Sequence, residues 1–247
     1  MLKSERKQLI MEKISQDSFV TLEGLVELLQ TSESTVRRDL DELESERKLH
    51  RVHGGAELHH SLREELTNKQ KSIKNVHHKS LIANYASSLI NDGDVVFIDA
   101  GTTTELLVDL LFQDNLTIVT NSIHHAAKLV ERNFRTIIIG GFVKNSTDAS
   151  IGKVAIEQIS QLNFDKAFLG MNGADERFLT TPDIEEAVIK KTIIDNAQKS
   201  YVLMDASKIG QISFAKVDRI ENVSILTTKS DGALLQKIKE KTEVIEV

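Results

Sequence analysis

The sequence of 247 residues contains no cysteine, which excludes disulfides, thiolate catalysis and cysteine-ligated zinc. It also lacks any apolar run near the roughly 20 residues that span a bilayer. The amino terminus, Met1-Leu-Lys-Ser-Glu-Arg-Lys7, passes into an amphipathic pattern without the apolar core of a signal peptide. These absences predict a cytoplasmic protein with no membrane partner. Positive charge is not in excess either. Residues 1–60 hold nine Lys and Arg against twelve Asp and Glu, a net of −3, and the remainder supplies the other half of the overall −6. A DNA binder relying on bulk charge would be basic as a whole, so any such contact here has to come from a local patch. What is present, 40% hydrophobic and 28% charged residues, is the composition of a globular chain and argues against disorder.

Three helical patterns open the chain. Leu9, Ile10 and Ile14 form the stripe of the first, from about Ser4 to Ser15. Thr21 is the expected N-cap of the second, with Leu22, Leu25, Val26 and Leu29 facing inward. The third starts near Ser32 and buries Val36, Leu40 and Leu43 at i, i+4, i+7. Only Gln30-Thr31-Ser32 separates the second and third, the length of a helix-turn-helix. Leu49–Val52 then reads as a strand, Gly54-Gly55 as a tight reversal and Ala56–Leu58 as the return. This order predicts a winged helix-turn-helix domain over residues 1–58. Ser34, Thr35, Arg37 and Arg38 would face the major groove, with Lys48, His50, Arg51 and His53 along the flanking backbone. The competing reading is a solvated helix with pairs Arg37–Asp41 and Arg38–Glu42.

Residues 59–76 are polar, without an apolar period, and read as a linker to a second domain over 77–247. There a helix from about His77 to Ile90 precedes short apolar strands alternating with helices. The strands are Val95–Ile98, Leu116–Val119, Thr136–Ile139, Lys166–Gly170, Tyr201–Met204 and Val223–Leu226. That alternation means an α/β fold with a mainly parallel sheet covered on both faces, whose ligands collect at the carboxyl ends of the strands. Gly101-Thr102-Thr103-Thr104, opening a helix, suits a phosphate or another anion, without the Walker Gly-Lys-Ser/Thr ending. Asp99, Thr120, Asn121, Gly141, Asn172 and Lys208 lie at neighbouring strand ends and suit a phosphorylated polyol. Thr181 and Pro182 read as the cap and first residue of another helix, where Glu185 would offer a carboxylate to sugar hydroxyls. Adjacent histidines such as His124-His125 point apart, so no metal site is expected.

At these residues the chain resembles the DeoR family of transcriptional repressors over nearly its full length. The resemblance is carried by Ser34-Thr-Val-Arg-Arg-Asp-Leu40, Leu49-His-Arg-Val-His-Gly-Gly-Ala56, Asp99-Ala-Gly-Thr-Thr-Thr104, Thr120-Asn121, Gly140-Gly141, Asn172-Gly173, Leu179-Thr-Thr-Pro-Asp-Ile-Glu-Glu186 and Asp205-Ala-Ser-Lys208. It implies a winged helix joined to a sensor domain resembling ribose-5-phosphate isomerase, with no cofactor and no catalytic residue. Such a protein binds double-stranded operator DNA as a homodimer or homotetramer, represses sugar-catabolic operons and releases DNA when a phosphorylated sugar binds. The wording from Glu42 to Leu58 is most similar to fructose-operon repressors of Gram-positive bacteria, which implies fructose 1-phosphate as effector. One departure is Arg47, where the family has glycine. Gly173-Ala-Asp-Glu176 matches part of an isomerase motif, but Asn172 stands where that motif has an acid and cannot act as a base. An isomerase-like enzyme, or an activator with the same two-domain plan, is the alternative.

Overall fold

The computed structural model describes residues 2–17, 19–46, 48–52, 54–58 and 62–247, and the chain divides into two compact units, Met1–Ser61 and Leu62–Val247. Arg47 and His53, both singled out above, lie outside the described residues.

The first unit contains α1 (Lys3–Asp17), β1 (Phe19–Thr21), α2 (Leu22–Leu29), α3 (Glu33–Ser45), β2 (Leu49–Val52) and β3 (Gly55–Leu58). Thr21 caps α2 as expected, accepting the Gly24 N–H at 3.0 Å, and Ser32 caps α3. Ile10, Ile14, Leu25, Leu29, Val36, Leu40, Leu43 and Leu49 close one apolar core. Two features differ from the sequence reading. The wing is a three-stranded sheet in the order β1-β3-β2, because Phe19, Val20 and the capping Thr21 pair with β3; three residues are too few to show alternation. The reversal also falls one residue earlier, since Val52 pairs with Gly55 and only Gly54 among the described residues of that turn has a positive φ, +85°. Gly55 is glycine for another reason: a Cβ there would lie 2.1 Å from the Val20 carbonyl oxygen. A side chain cannot swing away from a backbone atom. Gly55→Ala should therefore part β1 from β3 and lower the stability of this unit by about 1–3 kcal/mol, checked by urea titration followed by circular dichroism.

The second unit begins with α4 (Asn68–Ser72) and α5 (Val76–Ser88). β4 (Val95–Ile98), α6 (Thr102–Leu110), β5 (Thr117–Thr120), α7 (Ile123–Glu131) and β6 (Arg135–Ile138) follow. A hairpin, β7 (Phe142–Lys144) and β8 (Ala149–Ile151), leads to α8 (Lys153–Ile159) and β9 (Phe164–Gly170). Next come β10 (Gly173–Ala174), β11 (Phe178–Thr181), α9 (Ile184–Asn196) and β12 (Ala197–Leu203). β13 (Ala215–Arg219), β14 (Ser224–Thr227), α10 (Ala233–Lys239) and β15 (Val244–Glu246) complete it. Seven strands form one wholly parallel sheet in the order β15-β14-β12-β9-β4-β5-β6. Both faces are covered: Phe97 belongs to one apolar cluster, and its strand neighbours Val96 and Ile98 belong to the other. The expected α/β architecture is therefore present. β10, β11 and β13 add a small antiparallel sheet that no long apolar run announced.

The expected linker 59–76 is different from Leu62 onward, where it belongs to the second unit. Asn68 donates to the carbonyls of Ser146 and Thr147 at 2.9 and 2.7 Å, and the Leu62 carbonyl accepts the Phe214 N–H at 2.8 Å. Polar sequence here reflects hydrogen bonding to loops, not solvation of a free tether.

Candidate functional site

On α3 the buried Val36, Leu40 and Leu43 fix the orientation, so Ser34, Arg38 and Asp41 lie at the centre of the exposed face and Arg37 at its flank. The ion pairs expected for a merely solvated helix, Arg37–Asp41 and Arg38–Glu42, are replaced by others. Arg37 reaches back to Glu33 at 2.6 Å, Arg51 of β2 pairs with Asp41, Lys48 with Glu46 at 2.7 Å, and His50 lies 3.2 Å from Glu44. Glu42 instead binds Lys3 and Lys7 of α1. Arg38 makes no ion pair among the described residues and is exposed. The Ser34 and Thr35 hydroxyls lie 3.1 and 2.9 Å from the capping Ser32 hydroxyl. Asp39, on the inner side, binds Arg6 at 2.6 Å and ties α3 to α1, a contact outside the apolar periodicity that located the helix.

In the second unit, four adjacent strands, β12, β9, β4 and β5, bring Asp205–Lys208, Asn172, Asp99–Thr104 and Thr120–Asn121 to one edge of the sheet. Gly141 is placed farther out, beyond β6; its φ of +148° and a Cβ position 2.7 Å from the Ile151 carbonyl oxygen account for it by close packing alone. Several side chains read as ligand contacts are occupied with holding loops. The Thr104 hydroxyl donates to the Asp99 and Gly101 carbonyls at 2.7 and 2.9 Å. The Asn121 side chain accepts the Ala100 N–H at 2.9 Å, and Thr120 accepts that of Ser122 at 3.1 Å. Asn172 accepts the Thr181 hydroxyl at 3.1 Å. Thr102 and Thr103 remain at the amino end of α6, where free N–H groups favour an anion.

The reading of the α9 start is corrected. Asp183 is the cap, accepting the N–H groups of Glu185 and Glu186 at 2.8 and 3.2 Å, and Thr181 and Pro182 precede it. Glu185 points to solvent; the buried carboxylate is Glu186, bound by Thr147 at 2.8 Å and Lys144 at 3.1 Å. Lys144 also binds Asp183 and Glu65, and these acids outweigh the effect of burial to raise its pKa. Asp99 is ion-paired with Lys190, both almost fully buried, and accepts the Gly170 N–H at 3.3 Å. Burial alone would lower the Lys190 pKa, but Asp99 and Glu186 hold it above the ordinary lysine value.

Sequence reasoning missed Lys79 and Lys190, and it read Glu186 in the motif at the start of α9 but assigned the site carboxylate to Glu185. Lys79 sits on the buried face of α5 with Ile82, Ala83 and Ala86, and Lys190 on that of α9 with Glu186, Ile193 and Ile194. A charge in phase with an apolar stripe was the available signal. Burial pushes the Lys79 ammonium down to about 8, against the pull of Asp205, with Lys208, Lys71 and Lys74 adding repulsion. Lys208, half-buried, is lowered chiefly by the same desolvation. Lys79 and Lys208 are thus two desolvated lysines that share a field with Asp205. His125, 2% exposed behind Gly101, is a neutral histidine whose pKa burial lowers to about 4. Among the described residues no group of three or more His, Asp or Glu is placed to hold a metal.

Residues 6–62 match the model of the DeoR-like helix-turn-helix domain, and residues 74–230 match that of the DeoR C-terminal sensor domain. Among curated relatives, the uncharacterized HTH-type transcriptional regulator FruR of Bacillus subtilis is 41% identical over 246 residues, covering 99% of this chain and 98% of that protein. The lactose phosphotransferase system repressor of Staphylococcus epidermidis is 32% identical over 250 residues, covering 99% and 100%. The HTH-type transcriptional regulator GlpR of Haloferax volcanii is 37% identical over 245 residues, covering 98% and 95%. Ribose 5-phosphate isomerase A of Methanocaldococcus jannaschii aligns over 55% of each chain at 20% identity and a TM-score of 0.41, a likeness too remote to bear on chemistry. With both domain models matched in order and relatives aligned from end to end, the chain belongs to the DeoR family of helix-turn-helix regulators.

Proposed function

We propose that this protein is a DNA-binding transcriptional repressor of a sugar-utilisation operon, released from its operator by a phosphorylated sugar. The observation that carries the reading is the pair of desolvated lysines, Lys79 and Lys208, around Asp205 at the carboxyl end of β12, in a chain whose first unit exposes Arg38 on α3. Names of relatives, a FruR regulator and a lactose phosphotransferase system repressor, support sugar metabolism. Fructose 1-phosphate is the effector this reading favours. Asn172 speaks against turnover, because an amide held by Thr181 cannot shuttle the proton that aldose–ketose isomerisation requires. Release requires the effector to favour the DNA-free state, since equal affinity for both would shift nothing.

The test is fluorescence anisotropy with labelled DNA from upstream of the protein's own operon at fixed salt. Fructose 1-phosphate, fructose 6-phosphate, tagatose 6-phosphate and ribose 5-phosphate are titrated in. Specific binding reversed by one of them is the expected result. Arg38→Ala should weaken operator binding by about 1–3 kcal/mol and relax sequence preference. Operator binding that ignores every sugar phosphate would overturn the effector assignment, and no specific binding would overturn the repressor.

A further inference from the structure

Residues 68–75 make contacts with three loops or helices at the carboxyl edge of the parallel sheet. Asn68 bonds the Ser146 and Thr147 carbonyls in the β7–β8 hairpin, α4 packs on α6, and the Asn75 amide donates to Asp205 and Ser207 after β12 at 3.1 and 3.3 Å. Asn75 adopts a left-handed conformation, φ +52°, which turns the chain sharply into α5. The segment therefore straps over the loops that carry the candidate anion site. It brings two further cations: Lys71 and Lys74 lie close enough to repel both Lys79 and Lys208. The Lys79 ammonium donates to the Lys71 carbonyl, so one site lysine already holds the strap.

Four lysines, Lys71, Lys74, Lys79 and Lys208, face two acids, Asp205 and Glu65. Positive charge is in excess around Asp205, as a phosphate monoester dianion requires. Without that dianion the lysines repel one another; with it each gains an attractive partner. Glu65 extends the connection, since it binds Lys71 at 3.1 Å on one side and Lys144 on the other. It lies four residues beyond the boundary of the first unit at Ser61.

We propose that residues 62–75 form a strap that completes the effector site, with Lys71 and Lys74 closing on the phosphate and Glu65 passing occupancy to the chain entering the winged unit. The ligand class is a sugar phosphate monoester in its dianionic form. The proposal rests on the effector reading above and goes beyond it in assigning these residues.

Trypsin provides the probe, because Arg63, Lys69, Lys71 and Lys74 are its targets within the strap. The full-length protein is digested with and without fructose 1-phosphate, cleavage at these four positions is timed by mass spectrometry, and binding is measured in parallel by calorimetry. Bound fructose 1-phosphate should slow strap cleavage at least fivefold, whereas unphosphorylated fructose should not. Lys74 is exposed, so Lys74→Glu should fold normally; it should weaken calorimetric affinity at least tenfold and abolish the protection. Glu65→Gln should retain calorimetric binding but release operator DNA only at higher effector concentration. Binding heat with unchanged strap cleavage, or unaltered affinity in Lys74→Glu, would overturn the strap while leaving the effector reading intact. No heat with any of the four sugar phosphates would overturn both.

Discussion

Lys190→Met is expected to destabilise the second unit by about 3–5 kcal/mol, the penalty for leaving a buried charge uncompensated. Lys190 and Asp99 are 4% and 2% exposed, so water cannot replace the lost ammonium. The consequence spreads to the loop that follows, because the Asp99 carbonyl holds the Thr104 hydroxyl and its carboxylate holds the Gly170 N–H. Asp99→Leu with Lys190→Met removes both charges and should recover much of the loss, short of about 1–3 kcal/mol for the stranded Gly170 N–H. The sign with pH is also fixed. Burial raises the Asp99 pKa, and without Lys190 only the Gly170 N–H is left to oppose it. The single variant should therefore be most stable in acid and lose stability as pH rises through that pKa. The chain has no tryptophan and two tyrosines, Tyr85 and Tyr201, both in the second unit, so tyrosine fluorescence during urea unfolding follows that unit alone. An unchanged midpoint in Lys190→Met would mean the pair is not a buried charge pair.

Lys79→Met should do the reverse to stability while removing effector binding. A lysine lowered from 10.5 to about 8 disfavours the charged folded state by about 3 kcal/mol at neutral pH. Loss of its bond to the Lys71 carbonyl returns about 1 kcal/mol, for a net gain near 2 kcal/mol. In the parent, stability should climb from about pH 8 to 10.5, where the unfolded chain binds the proton that the folded one has lost. Affinity for a sugar phosphate should fall over the same range as Lys79 becomes neutral. Below about pH 6 the phosphate itself gains a proton, so affinity should peak between about 6 and 8. Calorimetry of fructose 1-phosphate across that range, with thermal unfolding of both proteins, reads the two effects. A Lys79→Met protein that is less stable than the parent, or that binds equally well, would remove Lys79 from the site.

The order of elements was legible in the sequence because each obeys a simple period. Val36, Leu40 and Leu43 recur every helical turn, and Val95–Ile98 is a continuous apolar run. The anion loop was legible through its residue types, glycine then threonines at a strand-to-helix turn. What escaped was set by three-dimensional contact. β1 and β10 are too short for a period, and Gly55 answers to a carbonyl more than thirty residues away in sequence. Thr104, Asn121 and Asn172 have ligand chemistry but spend it on neighbouring loops. Lys190 and Glu186 look like surface charges until the packing of α9 shows which side is inside. The strap was mistaken for a linker since its partners lie up to about 150 residues downstream.

The pairing of Arg37 with Glu33 and of Arg51 with Asp41 has a further consequence. Either of these two arginines, unlike Arg38, must part from its carboxylate before it meets a phosphate, and that carboxylate then has to recruit a cation from solution. Uptake by the acid cancels release from the DNA. The dependence of operator affinity on salt should therefore be shallower than the number of contacting cations implies, at about −0.9 in log–log slope per net phosphate neutralised. Chromosomal DNA of unrelated sequence attracts such a surface weakly. Fewer copies are held on irrelevant sites, and a small cellular pool is enough to keep one operator occupied.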